Sequence, residues 1–399
     1  MTDNRLFTLR FISINAIAFF AFSNLAVFFN LNNYLKDLGN IPESYIGIII
    51  SVFSLAALIF NPIFGYFIKP GRGRKSMIIS IIMFAVCLLL YPYAKSAWSL
   101  TILRFVQGIF FSLMLAATVA EFVTVIPSGK SGQAFGIFSV SNLLPYAVLP
   151  PLLEIFFIKN TVSNASHVYA GSAILLLPAI LLVLTVIPGK KEGAVQGVTQ
   201  GKNLSSREIA KEMRRLPVAV LMILNIVVFT IFSILFFFMK EYALKENMGD
   251  IGAFFTIQIF VMIGIRVFGG AFFDKVNNAV LLMLSFISAG GGFYTLLTAD
   301  TPGVVFASAA LFGLGLGIGM PIINSAMHRV SSPALVSFNL NILVAMMQVG
   351  FILGPVIGSV VIARSGFAPL FLSCVLICVV SMFLSILLIR DLKLPKTQK

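Results

Sequence analysis

Charged side chains are scarce in this chain, and their scarcity excludes an ordinary soluble domain. Only 11% of the 399 residues are Asp, Glu, Lys or Arg, whereas a soluble domain carries about a quarter. Two histidines cannot build a metal site. The three cysteines, Cys87, Cys374 and Cys378, lie inside apolar runs without the spacing of a zinc site or a disulfide framework. We therefore expect no metal and no other cofactor.

The residue sets of intramembrane enzymes are also missing from the sequence. It carries no paired intramembrane acids, no serine motif with a partner histidine and no metal-spaced histidines. A cleavable signal peptide is not expected either, because the first apolar run, from Phe11 to Leu31, is too long and lacks a small-residue cleavage site. The sequence therefore predicts a protein that is not an enzyme and whose first apolar run spans a membrane.

Long apolar runs dominate what remains. A bilayer core of about 30 Å needs about 20 apolar residues per helix, and the sequence contains twelve such runs. They lie near 9–31, 44–68, 76–94, 98–120, 133–157, 167–188, 217–239, 251–273, 278–298, 303–326, 334–362 and 367–389. The sequence thus predicts an all-α polytopic membrane protein with twelve transmembrane helices.

One long polar segment divides these runs into two sets of six. Residues 190–216 form a predicted cytoplasmic linker between an N-terminal bundle, 1–189, and a C-terminal bundle, 217–399. Within the linker, Ser205 or Ser206 can cap a short amphipathic helix that ends at Arg215, just before Pro217. A linker of about thirty residues is too short to hold a further domain.

The net charge of +14 indicates the orientation of the chain in a membrane rather than binding to nucleic acid. The basic residues lie in short breaks between apolar runs, whereas a nucleic-acid face would gather them on one domain. With the N-terminus inside, the inner segments carry twenty Lys and Arg, the outer loops six, and the spans only Arg104 and Arg266. This bias predicts that both termini are cytoplasmic, in a multi-pass protein of a bacterial cytoplasmic (inner) membrane whose partners are the bilayer and a small molecule.

The two halves resemble each other at matching places. GYFIKPGRGRK after the second run parallels GAFFDKVNN after the eighth, and SNLLPYAV in the fifth parallels ILGPVIGS in the eleventh. Repeats at half the chain length are typical of transporters with pseudo-symmetric halves. We therefore predict two pseudo-symmetric six-helix bundles with a substrate site between them, near the midplane.

Four short motifs accompany this repeat. After the second and eighth spans, a glycine precedes a charged cluster, formed by Gly65, Arg72 and Arg74 in the first half and by Gly270, Asp274 and Lys275 in the second. Lys69 stands in the first half where the second half has its acid. The fourth span carries an arginine followed by Gln-Gly and ends in an acid, at Arg104, Gln107, Gly108 and Glu121. The eleventh span carries GxxxGPxxG at Gly350, Gly354, Pro355 and Gly358.

With these motifs in register with the spans, the chain resembles the major facilitator superfamily (MFS) over essentially its whole length, and its drug and metabolite efflux branch. The resemblance implies the MFS fold and a secondary transporter that works by alternating access. It also implies that the fourth span lines the cavity and that Arg104 takes part in proton coupling. In the fifth span, where antiporters of the family usually display GxxxGPxxG, only Pro145 survives, which weakens the assignment to export.

Arg104 is the most informative single residue. A charge inside a span costs about 2.5–3.5 kcal/mol on insertion scales, and such residues are functional by default. Arg104 lies about two turns from Trp98, so snorkelling to the outer surface, or a helix-packing polar network, is the alternative. Gln107 lies one turn further in on about the same face, and an arginine beside an amide favours a water-filled cavity over lipid.

Glu154 is the predicted partner of Arg104. It lies near the outer end of the fifth span, which runs antiparallel to the fourth. A desolvated carboxylate near a guanidinium is under opposing influences, as a proton site requires. We predict that Glu154 and Arg104 couple transport to protons. A permanent ion pair, or a carboxylate at headgroup level, is the alternative.

Glu121 is the predicted gate residue at the inner end of the fourth span. It lies close to the basic 69–75 loop, so we expect a gate-closing ion pair with Arg72 or Arg74. Asp274 ends the eighth span and could cap a helix N-terminus, where a negative charge is favoured. The other residues predicted to act in the gate or in conformational change are Gly65, Gly270, Lys275, Gly350, Gly354, Pro355 and Gly358.

The predicted substrate contacts are Arg104, Gln107, Asn15, Asn24 and Asn225. Because the first span has no acid, the substrate is not obviously cationic; a neutral, zwitterionic or anionic metabolite, siderophore or drug fits. We predict a monomeric transporter driven by an ion gradient, with protons as the preferred ion and export as the preferred direction. Proton-coupled uptake and a non-transporting sensor or scaffold remain the alternatives.

Overall fold

A computed structural model of the chain describes residues 6–68, 70–127, 131–157, 162–188, 206–248, 251–268, 276–332 and 335–389. The regular structure of these residues is helical and includes no strand, which confirms the all-α class. Ten helices in the described ranges are long and apolar enough to cross a membrane. The predicted third and eighth spans fall on shorter helices, Arg74–Leu89 and Gly252–Phe268.

The chain divides into two compact units. One consists of residues 1–198 and 250–252, and the other of residues 199–249 and 253–399. The boundaries at 189 and 217 remain predictions, because residues 189–205 lie outside the described ranges.

The first unit is built from eight α-helices in the described ranges. They are α1 Leu9–Ala26, α2 Leu31–Asp37, α3 Glu43–Phe67, α4 Arg74–Leu89, α5 Ala97–Phe122, α6 Ser131–Phe157, α7 Val162–Gly171 and α8 Leu176–Val186. Two spans are interrupted by 3₁₀ turns, Val27–Asn30 between α1 and α2 and Ser172–Leu175 between α7 and α8. A 3₁₀ stretch inside a longer helix often marks a hinge.

The second unit begins with a short helix in the linker region. The helices are α9 Ser206–Met213, α10 Leu216–Lys245, α11 Gly252–Phe268, α12 Asn278–Leu297, α13 Pro302–Val330, α14 Val336–Ser365 and α15 Phe367–Ile386. A single glycine separates the last two helices. Gly366 has φ +84°, in the left-handed region that side chains other than glycine rarely adopt.

Local capping explains where the helix that carries Arg104 begins. The Ser96 hydroxyl accepts a hydrogen bond from the Ser99 amide at 3.1 Å, and the Ser99 hydroxyl accepts one from the Ser96 amide at 3.1 Å. This reciprocal pair forms a capping box that satisfies backbone donors which a helix start would otherwise leave free. Helix α5 therefore starts at Ala97, and Arg104 lies two turns inside it.

The surface is apolar where a soluble protein would be polar. Large side chains such as Phe67, Trp98 and Leu181 are 72%, 73% and 60% exposed, as expected of helices that face lipid. Two of the six basic residues that the prediction placed in outer loops, Lys240 and Lys245, lie inside α10, which extends beyond the apolar run. Lys240 is also buried. The orientation of the chain remains a prediction.

Candidate functional site

Arg104 lies inside the first unit and is only 2% exposed. Its Nη1 donates a hydrogen bond of 3.0 Å to Oε1 of Gln107, one turn along the same helix. Its Cζ lies 4.8 Å from the ring centroid of Phe28 and 4.6 Å from that of Phe53, within the range of cation–π attraction. The guanidinium is therefore held by an amide and two aromatic rings, and the structure does not support snorkelling.

Gln107 links this arginine to the end of the preceding span. Its Oε1 also accepts a hydrogen bond of 3.0 Å from the hydroxyl of Tyr91, which follows α4. Tyr91 packs against Phe28 and Tyr169, with ring centroids 5.3 Å away in both cases. Phe28 and Tyr169 in turn stack on each other at 4.7 Å. An aromatic cluster thus surrounds the charge. The sequence does not reveal these rings, because no spacing signals which of forty phenylalanines face a given arginine.

Gly108 explains why α3 and α5 pack closely enough to bury this network. A Cβ atom at Gly108 would lie 2.8 Å from Cβ of Ala56 and would collide with the carbonyl oxygen of Phe53. Contacts this short do not occur between real side chains, so only glycine fits. The glycine of the fourth-span motif is thereby assigned to the approach of α5 to the helix that carries Phe53.

The predicted ion pair between Arg104 and Glu154 is not formed in this structure. Glu154 is buried in α6 of the same unit, 8% exposed. Within the described residues, Arg104 hydrogen-bonds Gln107, lies against the rings of Phe28 and Phe53, and also interacts with Tyr91. The physical reason is that Gln107 and two ring faces already occupy much of the guanidinium. The predicted coupling role of the two residues is not tested by this geometry.

The asparagines predicted to contact substrate have different surroundings. Asn15 accepts a 3.2 Å hydrogen bond from Ser141 and so connects α1 to α6. Asn225 donates a 2.8 Å hydrogen bond to the carbonyl of Leu343 and connects α10 to α14. Asn24 is completely buried in α1 and donates to the carbonyl of Phe20 at 3.0 Å. Two of the three amides thus join neighbouring helices, and their role toward substrate stays a prediction.

Glu121 is held differently from the sequence-based expectation. Its Oε1 accepts a 2.7 Å hydrogen bond from the backbone amide of Gly73, and its Oε2 lies 3.8 Å from Nη2 of Arg10. Neither Arg72 nor Arg74 forms the expected ion pair with it in the described part of the chain. The guanidinium of Arg74 instead donates to the carbonyl of Leu184 at 2.8 Å.

Gly73 supplies the physical reason for this correction. A Cβ at Gly73 would lie 2.6 Å from the carbonyl oxygen of Ala117 and 3.1 Å from Cγ of Glu121. The loop before α4 therefore lies directly on α5, and its backbone amide reaches the carboxylate before any side chain does. The sequence signal was available, because Gly73 belongs to the cluster of glycine and basic residues that follows α3.

The other motif glycines serve packing to different degrees. In α14, a Cβ at Gly350 would lie 2.7 Å from the carbonyl of Ile226, and one at Gly354 would lie 2.8 Å from that of Thr230. Gly358 faces the ring of Phe238, and Pro355 lies inside the same helix. This motif packs α14 against α10.

The structure assigns no packing role to the predicted gate glycines near the ends of the second and eighth spans. A Cβ at Gly65 would meet nothing within 4 Å, so close packing does not explain that glycine. Gly270, Asp274 and Lys275 lie outside the described residues.

Glu212 in the linker helix is a buried acid that the sequence analysis did not select. Its carboxylate accepts hydrogen bonds from the Ser332 amide at 3.1 Å and the Asn339 side chain at 3.3 Å, and it pairs with Arg215 at 2.9 Å. Burial alone would raise the pKa of Glu212, but these hydrogen bonds, chiefly that from Ser332, hold the pKa below its ordinary value. Helix α9 is thereby attached to the start of α14.

The chain is similar to known proteins over almost its full length. The family model described as Major Facilitator Superfamily matches residues 11–334 and 249–399. The multi-drug resistance efflux pump PmrA of Streptococcus pneumoniae is 24% identical over 87% of this chain and 87% of its own. The multidrug resistance protein MdtG of Escherichia fergusonii is 25% identical over 90% and 88%. The solved structure of the nucleoside transporter NupG has a TM-score of 0.76 at 14% identity, over 95% of this chain and 99% of that one.

Proposed function

The chain belongs to the Major Facilitator Superfamily of transporters, and on that basis we propose that it is a proton-coupled exporter of a small molecule in a bacterial cytoplasmic membrane. It is a multi-pass membrane protein, with ten described helices able to cross a bilayer. The proposal adds three things to membership of the family: protons as the driving ion, export as the direction, and a small organic substrate.

The observation that carries the coupling proposal is the burial of two opposite charges within one unit. Arg104 and Glu154 are 2% and 8% exposed and lie on α5 and α6. Ionisable residues buried within membrane spans mark ion pathways and proton relays in transport proteins. Arg104 is held by neutral partners, and the ion pairs between described residues do not join it to Glu154. We propose that this carboxylate binds and releases the transported proton.

The direction is supported by the similar proteins rather than by the geometry. Both PmrA and MdtG are named for drug efflux or multidrug resistance, and each aligns with most of this chain. The GxxxGPxxG motif, which the family's antiporters display in the fifth span, packs the eleventh predicted span here. Uptake therefore stays as the second candidate, since the motif stands in the other half of the chain.

The test uses everted membrane vesicles that contain the intact protein. Respiration acidifies their interior, and a pH-sensitive dye then reports proton efflux when an exported compound is added from a panel of drugs, neutral metabolites and aromatic carboxylates. We expect at least one compound to release protons. Glu154→Gln should abolish this response but preserve exchange of the same compound across vesicles without a gradient.

The matched control is Glu43→Gln, since Glu43 is an exposed acid of the same unit, paired with Lys36 at 2.9 Å. It should behave as the unmodified protein. Full proton release by Glu154→Gln would exclude Glu154 as the coupling acid and move the search to Glu121 or Asp37. Accumulation of the compound in right-side-out vesicles with inward proton flow would establish uptake instead.

A further inference from the structure

The hydrogen bonds of Arg104 leave its Nε donor unused within the described part of the chain. Nη1 is engaged by Gln107, and Phe28 and Phe53 lie against the group. Nε is buried and has no hydrogen-bond partner among the described residues. Nε and Nη2 form one edge of a planar guanidinium, the edge that binds a carboxylate through two parallel hydrogen bonds. One donor of this edge is therefore unused, and none of the ion pairs formed by the described residues involves Arg104.

Two buried amides of the same unit also have unused polar atoms. Nε2 of Gln107 and Oδ1 of Asn24 have no hydrogen-bond partner in the described part of the chain, although both residues are completely buried. Asn24 lies one turn before Phe28 along the first span, and Phe28 touches Arg104. Natively buried polar groups are nearly always hydrogen-bonded, so each exception needs an explanation. An acceptor group of a bound ligand would provide it for Gln107, and a donor elsewhere on the same ligand would provide it for Asn24.

We propose that the Nε–Nη2 edge of Arg104 is a carboxylate-binding subsite, walled by Phe28 and Phe53 and completed by the unused Nε2 donor of Gln107. This inference rests on the proposed transport function and names the substrate class as compounds that carry a carboxylate next to an apolar or aromatic body. A carboxylate supplies the two acceptors that the guanidinium edge lacks. The rings exclude water, which strengthens each charge-assisted hydrogen bond.

The path into this subsite is provided by two interrupted spans. Phe28 belongs to the 3₁₀ turn Val27–Asn30 of the first span. Tyr169, which stacks on Phe28 at 4.7 Å, lies near the end of α7, and the 3₁₀ turn Ser172–Leu175 follows that helix. Such turns mark hinges, so the ring that covers Arg104 lies on a segment able to move. The ligand enters as Phe28 swings away and is enclosed when it returns.

The carboxylate has two possible sources, the substrate and Glu154 of the same unit. Equilibrium dialysis of the purified full-length protein in detergent, with radiolabelled 1-naphthoate and its uncharged analogue 1-naphthamide, separates them. If the substrate supplies it, the unmodified protein should bind naphthoate about tenfold more tightly than naphthamide, and Glu154→Gln should not change the ratio. If Glu154 instead reaches the edge in another conformation of the substrate-free protein, Glu154→Gln should raise naphthoate affinity alone.

Three variants test the role of the guanidinium edge. Arg104→Gln should reduce the ratio to about one, and Arg104→Lys, which keeps the charge without the planar edge, should stay well below the unmodified value. Gln107→Glu is nearly isosteric and places a carboxylate on Arg104 through an existing 3.0 Å contact. It should lower naphthoate binding and spare naphthamide even if Arg104→Gln fails to fold. Arg364→Gln, at an exposed arginine of the second unit, is the control.

The proposal is overturned if neither the unmodified protein nor Glu154→Gln prefers naphthoate, or if Gln107→Glu leaves the preference unchanged. These results are separate from those that test transport. Loss of the carboxylate preference with intact proton release in vesicles removes only the subsite. A clear preference without any gradient-driven transport removes the proposed function and leaves a carboxylate-binding membrane protein.

Discussion

Buried charges in the first unit are stabilised by neutral groups more than by opposite charges. Arg104 is held by Gln107 and two aromatic rings, and Glu121 by a backbone amide at 2.7 Å, with Arg10 further away at 3.8 Å. Such hydrogen bonds to a charged group contribute about 1.5–3 kcal/mol each. Each arrangement requires a glycine at the point of contact, Gly108 or Gly73, so these glycines are as important as the charges.

Replacing Gly108 with alanine should destabilise the protein. The added Cβ would collide with the backbone of Phe53 and separate α3 from α5, a cost of about 1–3 kcal/mol. Gly65→Ala is the matched control in the same unit, because its Cβ would meet nothing within 4 Å and alanine favours a helix. The measurement is thermal unfolding followed by a thiol-reactive dye, since Cys87, Cys374 and Cys378 are buried. Equal midpoints for the two variants would contradict the packing role of Gly108.

Pairs of helices in the two units are joined by corresponding polar contacts. The Ser141–Asn15 hydrogen bond connects α6 to α1, and the Asn225–Leu343 hydrogen bond connects α10 to α14. The fifth and eleventh predicted spans thus each pack on the first helix of their own half. The second unit adds the glycines of α14, and it also holds the linker helix α9 through Glu212.

The attachment of α9 should depend on pH in a defined direction. Because the hydrogen bonds hold the folded-state pKa of Glu212 below its ordinary value, its stabilising contribution is complete above the unfolded value of about 4.3. The contribution is lost as the pH falls through the lowered folded-state pKa. Glu212→Gln should therefore lower stability by about 1–3 kcal/mol at pH 7, and the difference from the unmodified protein should vanish in acid.

The measurement is the fraction of protein that remains monodisperse after heating, at a series of pH values from 7 downward. Glu246→Gln, at an exposed acid beyond the end of α10, is the control and should leave stability unchanged throughout. A Glu212→Gln deficit that persists undiminished in strong acid would mean that the carboxylate charge is not what holds α9.

At the scale of the whole molecule, the apolar surface and the distribution of basic residues together indicate how the protein lies in a membrane. Exposed apolar side chains such as Trp98 and Leu181 require lipid around the helices. The excess of Lys and Arg in alternate connections then predicts which ends of the helices face the cytoplasm. The distribution of basic residues belongs to the sequence and the exposed apolar surface to the structure, and both agree with the family to which the chain belongs.

The predicted orientation is tested by labelling single cysteines in intact cells, in a background without the three native cysteines. A cysteine at the exposed position Lys95, between α4 and α5, should react with an impermeant reagent added outside. One at the exposed Arg214, just after α9, should react only after permeabilisation. Labelling of both from outside would contradict the cytoplasmic placement of the linker and with it the twenty-to-six distribution of charge.

The sequence by itself determined the helical class, the membrane environment and the family. These follow from hydrophobic run length and local motifs, which do not depend on how helices pack. It also identified Arg104, Gln107 and Glu121 as important, because a polar residue in an apolar run is costly wherever the helix lies.

The tertiary structure alone decided which groups meet these residues. Glu121 pairs with Arg10 and Gly73 rather than Arg72 or Arg74, and Arg104 faces Phe28 and Phe53. The role of Glu212 in attaching α9 is visible only in the structure, because its hydrogen-bond partner Ser332 lies 120 positions away in the sequence. The physical reason is that contacts between helices depend on close approach, set here by single glycines such as Gly73, and on helix rotation. Neither quantity is encoded in the local pattern that reveals a helix.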